Sequence, residues 1–164
     1  AEFLTFFSST LAERTAPGLR QVVEQEPHVG YVYSHPGGLC AVAITDREYP
    51  RRVAFILLNK VLEEYYGQFP KARWETLATP GPELALPSLV DTLARFQDPD
   101  DNDPMLKVQR ELDETKIVLH RTIDGLLERG ERLDNLVEKS EKLSFQSKQF
   151  YKVARKTNTC CWLQ

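Results

Sequence analysis

The last third of this 164-residue chain carries an unbroken heptad repeat, which constrains the fold more than any other feature of the sequence. Alternating steps of three and four residues select fifteen positions, ten of them apolar. The positions are Met105, Val108, Leu112, Thr115, Leu119, Thr122, Leu126, Arg129, Leu133, Leu136, Ser140, Leu143, Ser147, Phe150 and Ala154. A repeat of about 3.5 residues keeps one seam facing a partner, so the segment is predicted to join a coiled coil about 75 Å long.

The polar residues in this seam favour a wide, mixed bundle over a leucine-zipper dimer. Thr115, Thr122, Ser140 and Ser147 are small where a two-stranded zipper prefers large apolar side chains. Arg129 occupies the eighth of the fifteen positions. A guanidinium in a sealed seam costs several kcal/mol unless hydrogen-bond acceptors meet it, so the partner helices are predicted to bring acceptors.

Arg129 also has a simpler reading, in which the helix is loosely paired there and the side chain reaches into water. Its central place, between Leu126 and Leu133, favours a buried residue that fixes register and partner number.

Residues 1–96 are predicted to form a small α+β domain, in which helices pack on an antiparallel sheet. Helical and alternating patterns, with turns at Gly and Pro, set the elements. These are a helix over Glu2–Arg14, strands over Leu19–Gln25, His28–Ser34 and Leu39–Thr45, a helix from Tyr49-Pro50 with Asp46 as a candidate cap, and a short helix over Leu86–Phe96.

A linker over 97–104, with two prolines and four aspartates, separates this domain from the heptad segment at 105–156. Charge divides in the same place: residues 1–104 carry nine Lys and Arg against fifteen Asp and Glu, and residues 105–164 carry twelve against nine. No long apolar run occurs, so the sequence predicts no membrane-spanning helix. The three cysteines do not suggest a disulfide framework, which favours a reducing cytosol.

The tail over 157–164 ends in Cys161-Trp162-Leu163-Gln164, a C-a-a-X pattern whose terminal Gln favours a farnesyl group. One lipid chain binds membranes only marginally, so Cys160 is the predicted site of a second, either an acyl thioester or another prenyl group. An aromatic Trp162 is less usual at its position than an aliphatic residue. The approach to the tail is basic, through Lys148, Lys152, Arg155 and Lys156.

Other chemistry is not indicated. His28, His35 and His120 show no metal-ligand spacing with one another or with Cys40, and no phosphate loop or catalytic constellation is present. Basic residues of the heptad segment alternate with acidic ones, which argues against nucleic acid as a partner. We therefore predict no cofactor, no metal and no enzymatic activity.

The stretch Leu126-Leu127-Glu128-Arg129-Gly130-Glu131-Arg132-Leu133 resembles the centre of the synaptobrevin-type R-SNAREs. Glu111–Lys116 and Phe150–Lys156 are similar, more specifically, to the prenylated YKT-type R-SNAREs. The resemblance implies that Arg129 meets three glutamines from partner SNARE helices in a parallel four-helix bundle. Residues 1–96 resemble a longin domain without its usual first two strands, which leaves truncation and a variant domain both open.

The same resemblance implies how the chain is used. Longin domains of this kind fold back on their own SNARE segment, and the match at Glu2-Phe3-Leu4-Thr5-Phe6 makes Phe6 the expected contact. We expect a fusion protein with glutamine-bearing SNARE partners, attached by lipids to the cytoplasmic faces of Golgi, ER and vesicle membranes and otherwise in the cytosol. A prenylated coiled-coil adaptor that fuses nothing is the alternative.

Overall fold

The computed structural model describes residues 2–77, 81–99 and 116–160. The elements are helix α1 (Glu2–Glu13), strands β1 (Arg20–Gln25), β2 (His28–Ser34) and β3 (Cys40–Thr45), helices α2 (Arg51–Gln68) and α3 (Leu89–Arg95), strand β4 (Ile117–His120), and helices α4 (Leu133–Lys139) and α5 (Phe145–Cys160). Short 3-10 helices cover Lys71–Arg73, Pro82–Leu84 and Ile123–Leu126. The predicted α+β class is confirmed.

Strands β1, β2 and β3 form an antiparallel meander, which includes the hairpin that the sequence predicts between the last two of them. Tyr31 in the middle strand lies opposite Val22 on one side and Ala43 on the other. In the turn after β2 the His35 amide donates a hydrogen bond to the Leu39 carbonyl over 2.8 Å. Gly38 has a φ of 106° in this turn, a conformation that glycine adopts without steric cost.

A fourth strand, which the sequence did not predict, makes the sheet mixed rather than antiparallel. β4 pairs in parallel with β1, placing Leu119 opposite Val22, and the strand order is β3-β2-β1-β4. Two physical reasons explain the addition. β1 would otherwise present a row of unpaired amides and carbonyls at the sheet edge, and Ile117 and Val118 are β-branched residues that suit a strand.

Helices cover both faces of the sheet, because successive strand residues point to opposite sides. Val23 faces α1, where Phe7 is completely buried. Val22 and Tyr31 face α2, and the rings of Tyr31 and Phe55 meet edge to face with centroids 5.7 Å apart. The wide apolar stripe of α2 is therefore buried against the sheet, as its width predicts.

Two predictions at helix starts need correction. Asp46 does not cap α2: its carboxylate accepts hydrogen bonds from the amides of Glu48 and Tyr49, at 3.1 and 2.9 Å, in the turn before the helix. Pro50 flanks the first helical residue without a side-chain cap. α3 begins at Leu89 rather than Leu86, because a residue that precedes proline disfavours helical backbone angles.

The described part of the heptad segment forms β4, a 3-10 helix, α4 and α5, rather than the single long helix that the repeat predicts. Gly130, with a φ of 92°, turns the chain between the 3-10 helix and α4. In this conformation the seam residues Leu126, Leu133 and Leu143 are buried against α1 and the sheet rather than against a partner helix. The seam positions Met105, Val108, Leu112 and Thr115, and linker residues 100–104, lie outside the described residues.

Candidate functional site

The candidate site is the surface on which the heptad segment packs against α1 and the sheet. Three seam leucines, Leu126, Leu133 and Leu143, are at most 9% exposed. They share one apolar cluster with Phe7 and with Val23 of the sheet. Burying a leucine side chain is worth about 1.5–3 kcal/mol, so these three contacts are a large part of what holds the segment on the domain.

Phe6, which the resemblance implies as the fold-back contact, lies in the same cluster and is 5% exposed. Phe3 packs against its edge, with its ring stacked on Phe7 at 6.3 Å between centroids. Ile123 and Val137 are also buried there, although neither is a seam position. The heptad pattern did not predict these two residues, because steps of three and four select only positions that face a helical partner.

A bidentate ion pair joins α1 to the turn beside Arg129. The Arg14 guanidinium donates to both carboxylate oxygens of Glu131, at 2.8 and 2.9 Å. The pair is largely shielded, with side-chain exposures of 17% and 29%. Glu131 also accepts from the Glu128 amide at 2.9 Å, so this carboxylate holds the turn as well as α1. No sequence pattern links the two charges, which lie far apart in the chain.

A second polar contact ties the start of α1 to the start of α5. The Glu2 carboxylate accepts hydrogen bonds from the Ser144 amide and the Ser147 hydroxyl, both at 2.8 Å. These bonds, that of the Ser144 amide first, hold the pKa of Glu2 below its usual value. At the other end of α1, Lys142 pairs with Glu13 at 3.1 Å.

Arg129 itself is exposed, in the turn before Gly130. The fifteen seam positions are therefore not gathered on one face in this conformation. Leu119 and Phe150 are 61% and 76% exposed, and Thr122 also faces solvent. The remaining described seam residues are partly buried: Leu136, Ser140, Ser147 and Ala154.

Ion pairs between α4 and α5 fold the end of the segment on itself. Arg155 contacts Asp134, and Lys152 lies 3.2 Å from Glu138. The Tyr151 hydroxyl also donates to Asp134, at 3.3 Å. Two of the basic residues before the tail thus face acidic side chains of α4.

A groove of about 750 Å³ lies between α5, the start of α1 and the chain around β4. Its lining includes Phe3, Leu133, Leu143, Phe150 and Tyr151. These side chains are apolar or aromatic, and the lining also includes the charged residues Glu26, Asp124 and Arg155. Cys160 ends α5, while Cys161 lies outside the described residues.

Cys40 differs from the two cysteines of the tail. It lies at the start of β3, and burial raises the pKa of its thiol to about 11. The thiolate is the nucleophilic form, so this burial lowers the reactivity of Cys40 relative to an exposed cysteine.

The described residues contain neither a candidate metal site nor a candidate membrane-spanning helix. Within residues 2–77, 81–99 and 116–160, no group of three or more His, Cys, Asp and Glu side chains could hold a metal ion. Over the same ranges, no helix combines the length and apolar character needed to cross a membrane.

Comparison with known families divides the chain near the predicted linker. Residues 1–85 match the family model of the longin, or regulated-SNARE-like, domain. Residues 104–164 match the model of the synaptobrevin family.

Individual relatives match nearly the whole chain. Synaptobrevin homolog YKT6 of Eremothecium gossypii is 55% identical over 161 residues, which cover 98% of this chain and 80% of the relative. Synaptobrevin homolog YKT6 of Saccharomyces cerevisiae is 50% identical over 160 residues, with the same coverage. VAMP-like protein YKT61 of Arabidopsis thaliana is 51% identical over 160 residues, covering 98% and 79%.

The family is not enzymatic, so the prediction that this chain is not an enzyme is confirmed. A SNARE role in vesicle traffic and interaction with other SNARE helices follow from the same matches. With a longin match over the domain that carries Phe6 and a synaptobrevin match over the segment that carries Arg129, the chain belongs to the family of YKT6-type synaptobrevin homologues.

Proposed function

We propose that this chain is an R-SNARE whose segment 105–156 contributes one helix to a parallel four-helix bundle that drives membrane fusion. One observation carries the proposal. The seam leucines Leu126, Leu133 and Leu143, which such a bundle needs, are buried on α1 and the sheet. A segment cannot bury the same side chains against two partners at once, so the packing described above is a closed form that excludes the bundle.

Closed and assembled forms then compete for the same apolar surface. Partner helices shift the balance only by binding the extended segment and not the closed one. The free energy that holds the segment on the domain is therefore subtracted from the free energy of assembly. In this proposal the longin domain regulates when the SNARE segment becomes available.

Arg129 is proposed as the central register residue of the bundle. In the closed form it is exposed, so its charge is solvated and costs nothing there. In a sealed bundle the guanidinium needs acceptors, and glutamine side chains from three partner helices supply carbonyl oxygens. A set of helices without such acceptors would bury the guanidinium unpaired, at a cost in free energy. Arg129 therefore favours glutamine-bearing partners.

The bundle assignment is tested with the full chain and helices from glutamine-bearing SNAREs. Replacing Arg129 by Ala leaves the partner amides unpaired, at about 1–3 kcal/mol, and we expect a lower melting temperature of the assembled bundle. Arg132→Ala is the matched control, because Arg132 is exposed, three residues away and outside the seam. Equal melting of the two assembled variants would remove Arg129 from the central layer. A stable homodimer of the full chain would instead favour the adaptor.

Cys160 and Cys161 are proposed as the lipid sites that hold the helix on a membrane. The groove of about 750 Å³ supports a further role for the domain, since it could shelter a prenyl chain from water in the closed form. Mass spectrometry of the C-terminal peptide from cells tests the anchor: we expect a prenyl group on Cys161 and a second lipid on Cys160. Two unmodified cysteines would contradict it.

A further inference from the structure

The outward face of α5 carries large apolar side chains that the proposed bundle does not explain. Phe145 is 76% exposed and Val153 is 60% exposed. Neither belongs to the heptad seam, whose nearest positions are Leu143, Ser147, Phe150 and Ala154. Assembly of the seam with partner helices would therefore leave Phe145, on the side opposite the seam, in contact with water, and would cover Val153, at the edge of the seam, only in part.

The two residues share one side of α5. At about 100° per residue, eight residues separate their directions by only about 80° around the helix. Lys152 and Lys156 point in nearly the same direction as Phe145, within about 20°, and Lys152 also reaches Glu138 of α4. The partly buried residues Ser147, Tyr151 and Ala154 lie on the opposite side, toward the domain. We call Phe145, Val153, Lys152 and Lys156 the outer face of α5.

Charge selects the kind of surface that fits this face. Residues 145–160 contain four basic side chains and no acidic one. The ion pair of Lys152 with Glu138 is solvent-exposed, with side-chain exposures of 51% and 67%, so its ammonium can exchange one anionic partner for another at little cost. Exposed apolar side chains next to lysines, on a helix without acidic residues, suit contact with the interface of an anionic membrane.

We propose that the outer face of α5 docks on anionic lipid bilayers, with Phe145 and Val153 in the boundary between headgroups and acyl chains. Lys152 and Lys156 then lie at the level of the lipid phosphates and carboxylates. The lysines are attracted to the negative surface, and the burial of Phe145 and Val153 among the lipids adds a hydrophobic contribution. This contact needs neither an attached lipid nor a partner helix. It also holds Cys160, at the end of α5, close to the membrane.

Vesicle cosedimentation of the full chain, made without lipid modification, tests this proposal. We expect binding to mixed phosphatidylcholine and phosphatidylserine vesicles, with weaker binding to phosphatidylcholine alone and a further decrease in high salt. The double variant Phe145→Ser with Val153→Ser should reduce binding to the mixed vesicles by about tenfold. The conservative pair Phe145→Leu with Val153→Ile should retain it.

The matched control is Leu77→Ser with Val90→Ser, which removes two apolar side chains of similar exposure, 45% and 75%, far along the chain from α5. This variant should bind vesicles as the unchanged chain does. Unfolding curves establish that all variants fold. Equal vesicle binding by the outer-face variant and the control would overturn the proposal, as would equal binding to neutral and anionic vesicles. Self-association that disappears in the outer-face variant would identify a second copy as the occupant instead.

Because the assay contains no SNARE partner, its failure would leave the bundle assignment of Arg129 intact. Failure of the bundle assay would likewise leave this membrane contact standing.

Discussion

Arg14 and Glu131 make the most specific contact between the longin domain and the heptad segment. Both carboxylate oxygens of Glu131 accept from one guanidinium, and the partners lie beside the residue proposed for the bundle centre. Apolar packing of Leu126 and Leu133 tolerates small shifts, whereas a bidentate pair fixes one relative position. The pair therefore sets the register of the segment on α1.

Replacing Arg14 by Met should loosen the closed form by about 1–2 kcal/mol, since it removes two charge-assisted hydrogen bonds from a partly shielded site. Hydrogen exchange of the amides in α4 should speed up accordingly. Arg47→Met is the control, because its pair with Glu26 is exposed, at 56% and 80%, and such pairs contribute little. If Arg14→Met and Arg47→Met change exchange equally, the Arg14–Glu131 pair does not hold the segment.

Glu2 gives the same interface a dependence on pH. Its pKa is lowered in the folded chain, so its contribution to stability is present above the pKa of an unfolded glutamate. That contribution is lost as pH falls through the lowered folded value. We expect the amides at the start of α5 to exchange faster over that acidic range.

Glu2→Gln should flatten this dependence, and Ser147→Ala, which removes one donor, should move the pKa of Glu2 toward its usual value. Carbon-13 NMR of the Glu2 carboxylate measures the shift directly. An unchanged titration in Ser147→Ala would show that this hydroxyl does not stabilise the charged form.

At the scale of elements, one segment carries two incompatible patterns. The heptad repeat predicts which residues face partner helices. It does not predict that some of these residues pack against the domain of the same chain. β4 forms because β1 has a free edge and because Ile117 and Val118 suit a strand, and the first of these conditions is not visible in the local sequence. Strands β1 to β3 and helices α1 and α2 depend on patterns inside themselves, so sequence predicted them within a few residues.

Gly130 lies at the break between the 3-10 helix and α4, and the heptad prediction did not take this glycine into account. A glycine beside Arg129 costs a long helix about 1 kcal/mol relative to alanine, while its φ of 92° in the closed form suits glycine and disfavours alanine. Gly130 therefore destabilises the extended helix and suits the backbone of the closed form.

Gly130→Ala should shift the segment from the closed form toward an extended helix by about 2 kcal/mol, roughly a 30-fold change in the equilibrium. We expect higher helix content by circular dichroism and faster exchange of the β4 amides. A Cβ at Gly130 meets nothing within 4 Å, so the effect is one of backbone conformation alone.

Gly67→Ala is the matched control. Gly67 lies in α2, and a Cβ there also meets nothing within 4 Å. This change should stabilise the helix by about 1 kcal/mol without exposing β4. If Gly130→Ala and Gly67→Ala change hydrogen exchange of the β4 amides equally, the argument from backbone conformation is wrong.

For the whole molecule, the two faces of the sheet have different roles. The face covered by α2 is packed mainly by the domain itself, through residues such as Phe55 and Tyr31, and Ile117 of β4 adds one contact from the heptad segment. The face covered by α1 is completed by the heptad segment, through Phe6 and Phe7. In the proposed opening, the α1 face would lose several buried contacts, whereas the α2 face would lose only that of Ile117.

Phe6→Ala and Phe55→Ala should separate these roles. Truncating either ring costs about 3–5 kcal/mol, but in Phe6→Ala part of the loss falls on the contact with the segment. We expect Phe6→Ala to speed association with partner helices in stopped-flow mixing, and Phe55→Ala to lower the melting temperature without that acceleration. Slow association in both variants would mean that the cluster around Phe6 does not limit access.

The pairing of β4 with β1 has a consequence for the rate of assembly. Among the described residues of the heptad segment, β4 comes first, nearest the linker. Zippering toward the membrane would have to nucleate on this side, where the chain is extended and its amides are bonded to a strand. In the proposed mechanism, the pairing of β4 with β1 adds a barrier near the end of the segment where assembly begins, so the domain would lengthen the waiting time before zippering as well as lower the net free energy of assembly.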